Sequence, residues 1–256
     1  MKNFISIALL VTIITCNSVK IYCQYANVEF IENKGQWDNT IKYKGVINNG
    51  AIFLREKGFR VLQSSPADLD KLADLLHGVG HDEKPTTTAA KSAVVPVKGL
   101  PSKDAVTVHS HSYDVSFDNA ATPVISGDKP LNTLNNYFIG NDSTKWKSNC
   151  RIFQAITYQN IYRGIDVRYY TSEGRLKYDI IVQPGADVSQ IVMKYEGVDG
   201  LEVRNEQLIV KTSVGEMKEM APYSFQVING VRKEVTTRFK VEGKTVRFNI
   251  ADYAAT

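Results

Sequence analysis

Four side chains give this sequence its clearest signals for ligand chemistry: Trp37, Trp146, Asp166 and Asp179. Both tryptophans lie in polar segments rich in Asn and Lys, and indole rings on such loops can stack on sugar rings. The two aspartates fall on the polar sides of neighbouring predicted strands, and glycoside hydrolysis needs two facing carboxylates. Tryptophans that cover a core and solvated surface carboxylates produce the same pattern, so the sequence leaves both interpretations open.

Histidines are the residues to examine for a metal site. His77 and His81 are four positions apart, but two glycines interrupt the helix that would bring them to one face. His109 and His111 share a strand face with Tyr113, which favours a partly buried structural role. No cysteine or glutamate stands near this second pair to complete a zinc site. The sequence therefore predicts neither a metal site nor a cofactor.

Motifs for nucleophilic catalysis and phosphate binding are absent from the sequence. Serines are frequent, yet no Gly-x-Ser-x-Gly elbow occurs, and no histidine stands in a strand-turn-helix context that would activate one. Phosphate-loop and dinucleotide-binding fingerprints are missing as well. We therefore expect a protein that is not an enzyme, with no catalytic residue to assign.

The first residues predict export. Lys2 precedes an uncharged, mostly apolar run over residues 4–14, which is the pattern of a secretory signal peptide. The run is shorter than the roughly 20 residues that a membrane-spanning helix needs. We expect cleavage near Cys23 or Gln24 to remove residues 1–23, with lipid attachment at Cys16 as the alternative. Cleavage predicts a secreted or cell-surface protein that keeps no stable membrane span.

Net charge limits the class of partner, and cysteine content limits how the fold can be stabilised. The formal net charge of +4 is small and argues against nucleic acid, so we expect an extracellular protein or glycan of unknown identity as the partner. Cleavage would leave one cysteine, Cys150, which has no internal disulfide partner. A lone thiol of this kind is typical of a small buried residue, so stability must come from ordinary core burial.

Alternating apolar residues predict strand after strand from residue 106 onward. The clearest runs are 106–117, 165–170, 175–182, 190–195, 201–204, 207–212, 223–228, 235–241 and 245–250. In one of them Leu176, Tyr178 and Ile180 share one side, while Lys177 and Asp179 point the other way. One buried and one wetter face indicate antiparallel strands. We predict an all-β antiparallel sandwich of two packed or extended sheets, with a meander in its second half.

Turn residues agree with this prediction. Asn229-Gly230 can supply the positive φ angles of a two-residue hairpin, and Glu173-Gly174 and Glu242-Gly243 have the composition of further hairpin tips. Each lies between two β-prone runs.

The first part of the chain is less regular. Residues 28–32, 41–48 and 51–64 read as three strands, and the period then changes to a helical one, with Leu69, Leu72 and Leu76 on the apolar stripe of a short helix over residues 68–76. Residues 78–104 lack periodicity and predict a flexible surface insertion. We expect one β-rich domain over residues 24–256, in a chain that is either a truncated piece of a longer protein or a short stand-alone version of one.

Four segments carry a resemblance to a known family. They are Phe30–Trp37, Asn136–Asp142 together with Trp146, Tyr162–Tyr170, and Tyr178–Asp187. In this order they resemble the uncharacterised N-terminal β domain of large secreted Bacteroidetes proteins, in which SBBP-type β-propeller repeats, PKD-like domains and gliding-motility or type IX secretion C-terminal regions follow. The turn from Pro184 to Asp187 is the most specific part. Pro184 must end its strand because it has no N–H, and Asp187 can cap a short helical turn.

The resemblance implies an extracellular or surface-associated module and brings no catalytic residues with it. Together with the missing motifs, it predicts a non-enzymatic secreted or cell-surface module for structure, adhesion or recognition of extracellular material. The alternative is a carbohydrate-binding or carbohydrate-active sandwich, with the two tryptophans as sugar platforms and Asp166 or Asp179 as an acid. A partner-binding module of a secretion or gliding apparatus is a third interpretation, which an exposed apolar patch or an open edge strand would favour.

Overall fold

The computed structural model describes residues 27–78, 107–251 and 253. The predicted signal peptide, Cys16, His81 and residues 79–104 of the predicted insertion lie outside the described residues. Within the described ranges, no helix is both long enough and apolar enough to cross a membrane.

Strands make up most of the described chain. They are β1 (Phe30–Glu32), β2 (Ile41–Ile47), β3 (Gly50–Arg55), β4 (Gly58–Ser64), β5 (Ser110–Phe117), β6 (Val124–Tyr137), β7 (Lys147–Tyr162), β8 (Ile165–Ser172), β9 (Arg175–Val182), β10 (Met193–Glu196), β11 (Gly200–Arg204), β12 (Gln207–Thr212), β13 (Gly215–Glu219), β14 (Ser224–Ile228), β15 (Val231–Val235), β16 (Thr237–Glu242) and β17 (Thr245–Ile250). Helix α1 spans Pro66–Gly78, and 3₁₀ turns lie at Ser143–Lys145 and Val188–Gln190.

Twelve strands form one antiparallel sheet in the order β16-β17-β10-β5-β4-β3-β2-β1-β7-β8-β9, with β6 on the other edge of β7. Strand β7 is 16 residues long, so β1 and β8 can pair with the same edge of it at different positions along its length. Strands β11, β12 and β13 form a three-stranded sheet, and β14 pairs with β15 as a separate hairpin.

The large sheet curls until its two halves face each other. The ring of Phe59 on β4 lies 5.9 Å from that of Tyr169 on β8, and the ring of Phe117 on β5 lies 6.4 Å from that of Tyr162 on β7. The buried Tyr158 donates a 2.7 Å hydrogen bond to the Arg55 carbonyl. These contacts join strands that are far apart in the sheet order. The predicted all-β, antiparallel, sandwich-like fold is therefore confirmed.

Two strand predictions were wrong. Residues 51–64 form two strands, β3 and β4, which are joined by a tight turn ahead of Gly58. Gly58 has φ +152°, and a Cβ there would lie 2.0 Å from the Val115 carbonyl oxygen, so only glycine fits. The second half is not a simple meander, because β10 pairs with β5 and β17 instead of with its neighbours in sequence.

The long pair β6 and β7 was not predicted because its pattern is interrupted. The register between the two strands shifts twice, and β7 has a further irregularity where it pairs with β8. Lys129, Asn149 and Asn160 have positive φ at 52°, 57° and 55°. Each such residue disturbs the alternation of apolar side chains by which a strand is recognised in sequence.

Local turn and cap chemistry agrees with the sequence prediction. Asn229 and Gly230 have φ angles of 50° and 79° at the tip of the β14–β15 hairpin, and Glu173 and Gly174 have 55° and 71° at the β8–β9 tip. The Asp187 side chain accepts a 2.9 Å hydrogen bond from the Ser189 N–H and caps the predicted short helical turn. These features could be predicted because each depends on neighbouring residues alone.

Helix α1 lies on the surface and is two residues longer at each end than predicted. Leu69 and Leu72 are only half-buried, whereas Asp68 is 8% exposed. The Asp68 carboxylate accepts hydrogen bonds from the backbone N–H of His109 at 3.1 Å and interacts with its Nδ1 at 2.7 Å. This polar contact links the helix to the residue that directly precedes β5.

The three-stranded sheet contributes one face to the main core. Leu208 and Val210 are fully buried there, and Met217 packs against the same core. Beside them lies the interior tyrosine cluster, which we define as Tyr113, Tyr169, Tyr178 and Tyr195 around Glu219. This cluster joins the small sheet to both halves of the curled one, since Tyr178 lies on β9 and Tyr195 on β10.

Glu219 is held by two hydroxyl groups. Tyr195 donates to its Oε1 at 2.7 Å, and Tyr178 donates to its Oε2 at 2.9 Å. Burial raises the pKa of Glu219, although the two hydrogen bonds act in the opposite direction. Cys150 is likewise buried, with a free thiol whose pKa burial raises, as expected for a small core residue.

Candidate functional site

The structure brings the two predicted tryptophans to one edge of the molecule. Trp37 lies in the loop between β1 and β2, and its ring meets that of Tyr137 edge-on at 5.2 Å. Trp146 follows the first 3₁₀ turn, and its ring meets that of Phe138 edge-on at 5.6 Å. Tyr137 and Phe138 are consecutive at the end of β6. We call these four residues the aromatic edge.

The loop that carries Trp146 is fixed by its own polar groups. Asp142 accepts hydrogen bonds from the N–H and the hydroxyl of Thr144, at 3.1 and 2.6 Å, and so caps the 3₁₀ turn. The Trp146 indole N–H donates to the Gly140 carbonyl at 3.1 Å. With its polar atom satisfied, the indole remains 41% exposed and its partner Phe138 61% exposed.

The loop that carries Trp37 is organised by one asparagine. The Asn33 amide donates to the carbonyls of Asp38 and Ile41 at 2.8 and 2.9 Å, while its oxygen accepts from the Gly35 N–H at 2.9 Å. Trp37 is half-buried against Tyr137. The hydrogen bonds of Asn33 order the loop backbone that carries the ring.

Asp166 and Asp179 lie on the outward face of β8 and β9. Arg168 stands directly opposite Asp179, so the two carboxylates are diagonal neighbours. Asp166 accepts a hydrogen bond from the Asn160 N–H at 2.7 Å, and Asp179 accepts one from the Tyr170 hydroxyl at 3.0 Å. Each carboxylate is thus engaged with its own strand neighbours.

The structure does not bring these carboxylates to the tryptophans. Arg168, which stands beside both aspartates, pairs with Thr157 in the middle of β7, whereas Trp146 adjoins Lys147 at the start of that strand. The interval between Lys147 and Thr157 corresponds to roughly 30 Å of extended chain. The four predicted site residues therefore form two separate groups.

His109, directly before β5, and His111, on β5, join elements of the fold. Asp68 has its pKa lowered to about 2, chiefly by its hydrogen bond with the His109 side chain. The ring of His111 lies 2.9 Å from the Ser213 hydroxyl and 2.6 Å from the Gly197 carbonyl. In the part of the chain that the structure describes, no three His, Cys, Asp or Glu side chains gather as metal ligands would.

Sequence reasoning missed a solvent-open cavity of about 560 Å³ next to the aromatic edge. It lies over the outward face of β3, β4 and β5, beside the loop that carries Trp37. Gly58 and Ser116 stand opposite each other there, and two small residues leave a depression in the sheet surface. The residues that line it come from separate parts of the chain, so strand register alone brings them together.

A cluster of charged side chains lines and borders the cavity. Arg60 binds the Asp114 carboxylate through two nitrogens, each at 2.7 Å, and a second guanidinium, that of Arg55, lies 3.1 Å from the same carboxylate. The hydrogen bond from Arg60 is the largest favourable cause that lowers the pKa of Asp114. One carboxylate therefore faces two fixed positive charges.

A single lysine connects the cavity to the aromatic edge. The Lys44 ammonium lies 5.5 Å from the centre of the Trp37 ring and 5.7 Å from that of Phe53. Phe53 stands between Lys44 and Arg60 in the cross-strand register. Aromatic and basic side chains thus alternate from Trp37 towards the cavity, a pattern that suits a ligand with both apolar faces and negative charge.

The fold and surface together define an all-β antiparallel domain with an exposed aromatic edge and an adjoining polar cavity. Over residues 30–256 the sequence matches the family described as a domain of unknown function, DUF7948. The chain belongs to this DUF7948 family. No curated protein and no solved structure matches it.

Proposed function

We propose that this domain is a non-enzymatic recognition module, secreted or displayed at the cell surface, that binds extracellular polysaccharide at its aromatic edge. The observation that carries the proposal is the exposed ring pair of Phe138 and Trp146. Sugar rings present C–H groups that stack on aromatic faces, and they bind best where a ring is already held in place.

The surroundings of the ring pair support a sugar ligand over an apolar one. Asn136 and Asn149 lie at the same end of β6 and β7, where the Asn149 backbone N–H donates a 2.8 Å hydrogen bond to the Asn136 side-chain oxygen. Lys145 and Asp142 form an exposed pair in the adjoining turn. Amide, ammonium and carboxylate groups around an aromatic platform can bind the hydroxyl groups of a sugar.

The separation of the predicted acids from the edge supports binding without hydrolysis. Glycoside hydrolysis needs two carboxylates on either side of the bond that is cut. Asp166 and Asp179 are the predicted pair, and they lie well away along β7 from Trp146. Export is supported by the apolar run behind Lys2 and by the resemblance to domains of secreted proteins.

A glycan array tests the proposal, with the purified protein and its Trp146→Ala and Phe138→Ala variants. Tyr223→Ala is the matched control, because Tyr223 is 69% exposed and forms a ring pair with Phe225 elsewhere on the surface. We expect saturable binding that either edge substitution weakens about tenfold or more, the effect of losing one stacking contact. Absence of binding, or an equal loss in the control, would contradict the proposal.

A further inference from the structure

We infer that the cavity beside the aromatic edge binds the carboxylate groups of a uronic-acid polysaccharide, so that one chain extends from the edge over Lys44 into the cavity. The inference rests on the proposed function, since it assumes that the aromatic edge binds sugar. It adds the class of polysaccharide and a second contact region.

The first support is continuity of the surface. Asn39 and Thr40 line the cavity and belong to the same loop as Trp37. Lys44 lies over both Trp37 and Phe53, and Phe53 is next to Arg60 in the register. A ligand that stacks at the aromatic edge and continues across β2 and β3 therefore reaches the cavity without leaving the protein surface.

The second support is a set of cations at the cavity. Lys42 occupies the bulge of β2, where the register with β3 shifts, and it lines the cavity. Lys57 lines it from the turn between β3 and β4. Neither lysine has an ion-pair partner among the described residues, whereas Arg55 lies 3.1 Å from the Asp114 carboxylate. These two lysines can therefore offer N–H groups to an anion.

The acidic groups at the cavity distinguish a sugar acid from a simple anion. Asp114 is compensated by Arg55 and Arg60, which leaves Glu56 and Glu196 as the acids that line the cavity. A carboxylate is a good acceptor for a sugar hydroxyl, so these two acids suit a ligand that carries hydroxyl groups beside its charge. A uronic acid carries hydroxyl groups and a carboxylate on one ring, and so can use both kinds of partner.

The size of the cavity agrees with a saccharide ligand. At about 560 Å³ it lies within the range of roughly 300–1,000 Å³ that is usual for small-ligand sites. Because the cavity is open to solvent, a polymer can occupy it without being enclosed.

Binding of alginate and of carboxyl-reduced alginate tests the inference, because the two polymers differ only in the carboxylate. The test variants are Lys42→Gln and Lys57→Gln, alone and combined. Lys177→Gln is the matched control, since Lys177 is an exposed lysine of β9. Trp146→Ala reports on the aromatic edge in the same assay.

We expect alginate to bind more tightly than its reduced form, and the double lysine variant to lose about tenfold in affinity for alginate only, as charge-assisted hydrogen bonds are lost. Trp146→Ala should weaken the binding of both polymers. Equal binding of the two polymers, with no effect of the lysine variants, would overturn the inference and leave the proposed function standing. If neither polymer binds and no glycan binds on the array, both fail.

Discussion

The interior tyrosine cluster and the aromatic edge are both groups of aromatic side chains, but they differ in what covers them. In the interior, Tyr169, Tyr178 and Tyr195 lie between the curled sheet and the small sheet, and two of their hydroxyls bind Glu219. At the edge, Phe138 and Trp146 cover each other, and their outer faces remain open to solvent.

The difference follows from position along the strands. Tyr169 and Tyr178 occupy inward positions of β8 and β9, where alternation places them in the core. Phe138 comes after β6 has ended, and Trp146 precedes β7, so neither is committed to a face of the sheet. An aromatic residue therefore becomes core or surface according to its strand register, and the type of residue alone does not decide it.

The largest expected effect contrasts a buried ring that packs against the interior tyrosine cluster with one ring of the aromatic edge. Tyr158→Ala removes a fully buried ring 5.4 Å from that of Tyr169 and should lower the free energy of unfolding by about 3–5 kcal/mol. Trp146→Ala should lower it by only about 1–2 kcal/mol, because the indole is 41% exposed and loses one edge contact and one hydrogen bond. Urea denaturation of both variants measures the contrast. Equal losses would show that the aromatic edge belongs to the core.

A smaller effect is expected when the carboxylate of the interior cluster is removed. Glu219→Ala leaves the hydroxyls of Tyr178 and Tyr195 without their acceptor. The total loss should be about 2 kcal/mol, at the low end of the roughly 1–3 kcal/mol usual for each unsatisfied hydroxyl, because the removed carboxyl group was itself buried at a cost. Glu219→Gln keeps an acceptor and removes the charge, so it should cost less than the alanine variant. Urea denaturation at neutral pH checks this order, which would be reversed if the hydroxyls found other partners.

The stability difference between wild type and Glu219→Gln should depend on pH, and the sign of this dependence follows from the raised pKa of Glu219. Because burial raises the folded-state pKa of Glu219, the folded protein holds this proton at a pH where the unfolded chain has released it. The stability difference, wild type minus Glu219→Gln, should therefore fall as the pH rises from the ordinary value of 4.5 to the raised pKa, and then level off. Carboxylates with lowered pKa, such as Asp114, act in the opposite direction and are common to both proteins.

The sequence predicted the parts of this comparison that depend on local pattern. Alternation identified the strand with Tyr178 on its inward side, and polar surroundings singled out Trp37 and Trp146. The sequence did not predict that Tyr137 and Phe138 would contact the two tryptophans. The register shifts between β6 and β7 interrupt the alternation by which these strands could have been recognised. The cavity was missed for a related reason: Lys42, Arg55 and Ser116 meet only once the register of four strands is fixed.

The smallest expected effect has the opposite sign and concerns the one interior tyrosine with an unsatisfied hydroxyl. Tyr169 is 1% exposed, and its hydroxyl has no hydrogen-bond partner within the described residues. Because burying such a group is costly, Tyr169→Phe should raise the free energy of unfolding by about 1 kcal/mol. Tyr195→Phe is the matched control: it keeps the ring, loses the bond to Glu219, and should lower the same quantity by about 1 kcal/mol. Thermal and urea unfolding of the two variants measure both changes. If Tyr169→Phe proved as destabilising as its control, the Tyr169 hydroxyl would have a hydrogen-bond partner, and the interior cluster would contain a polar group besides Glu219.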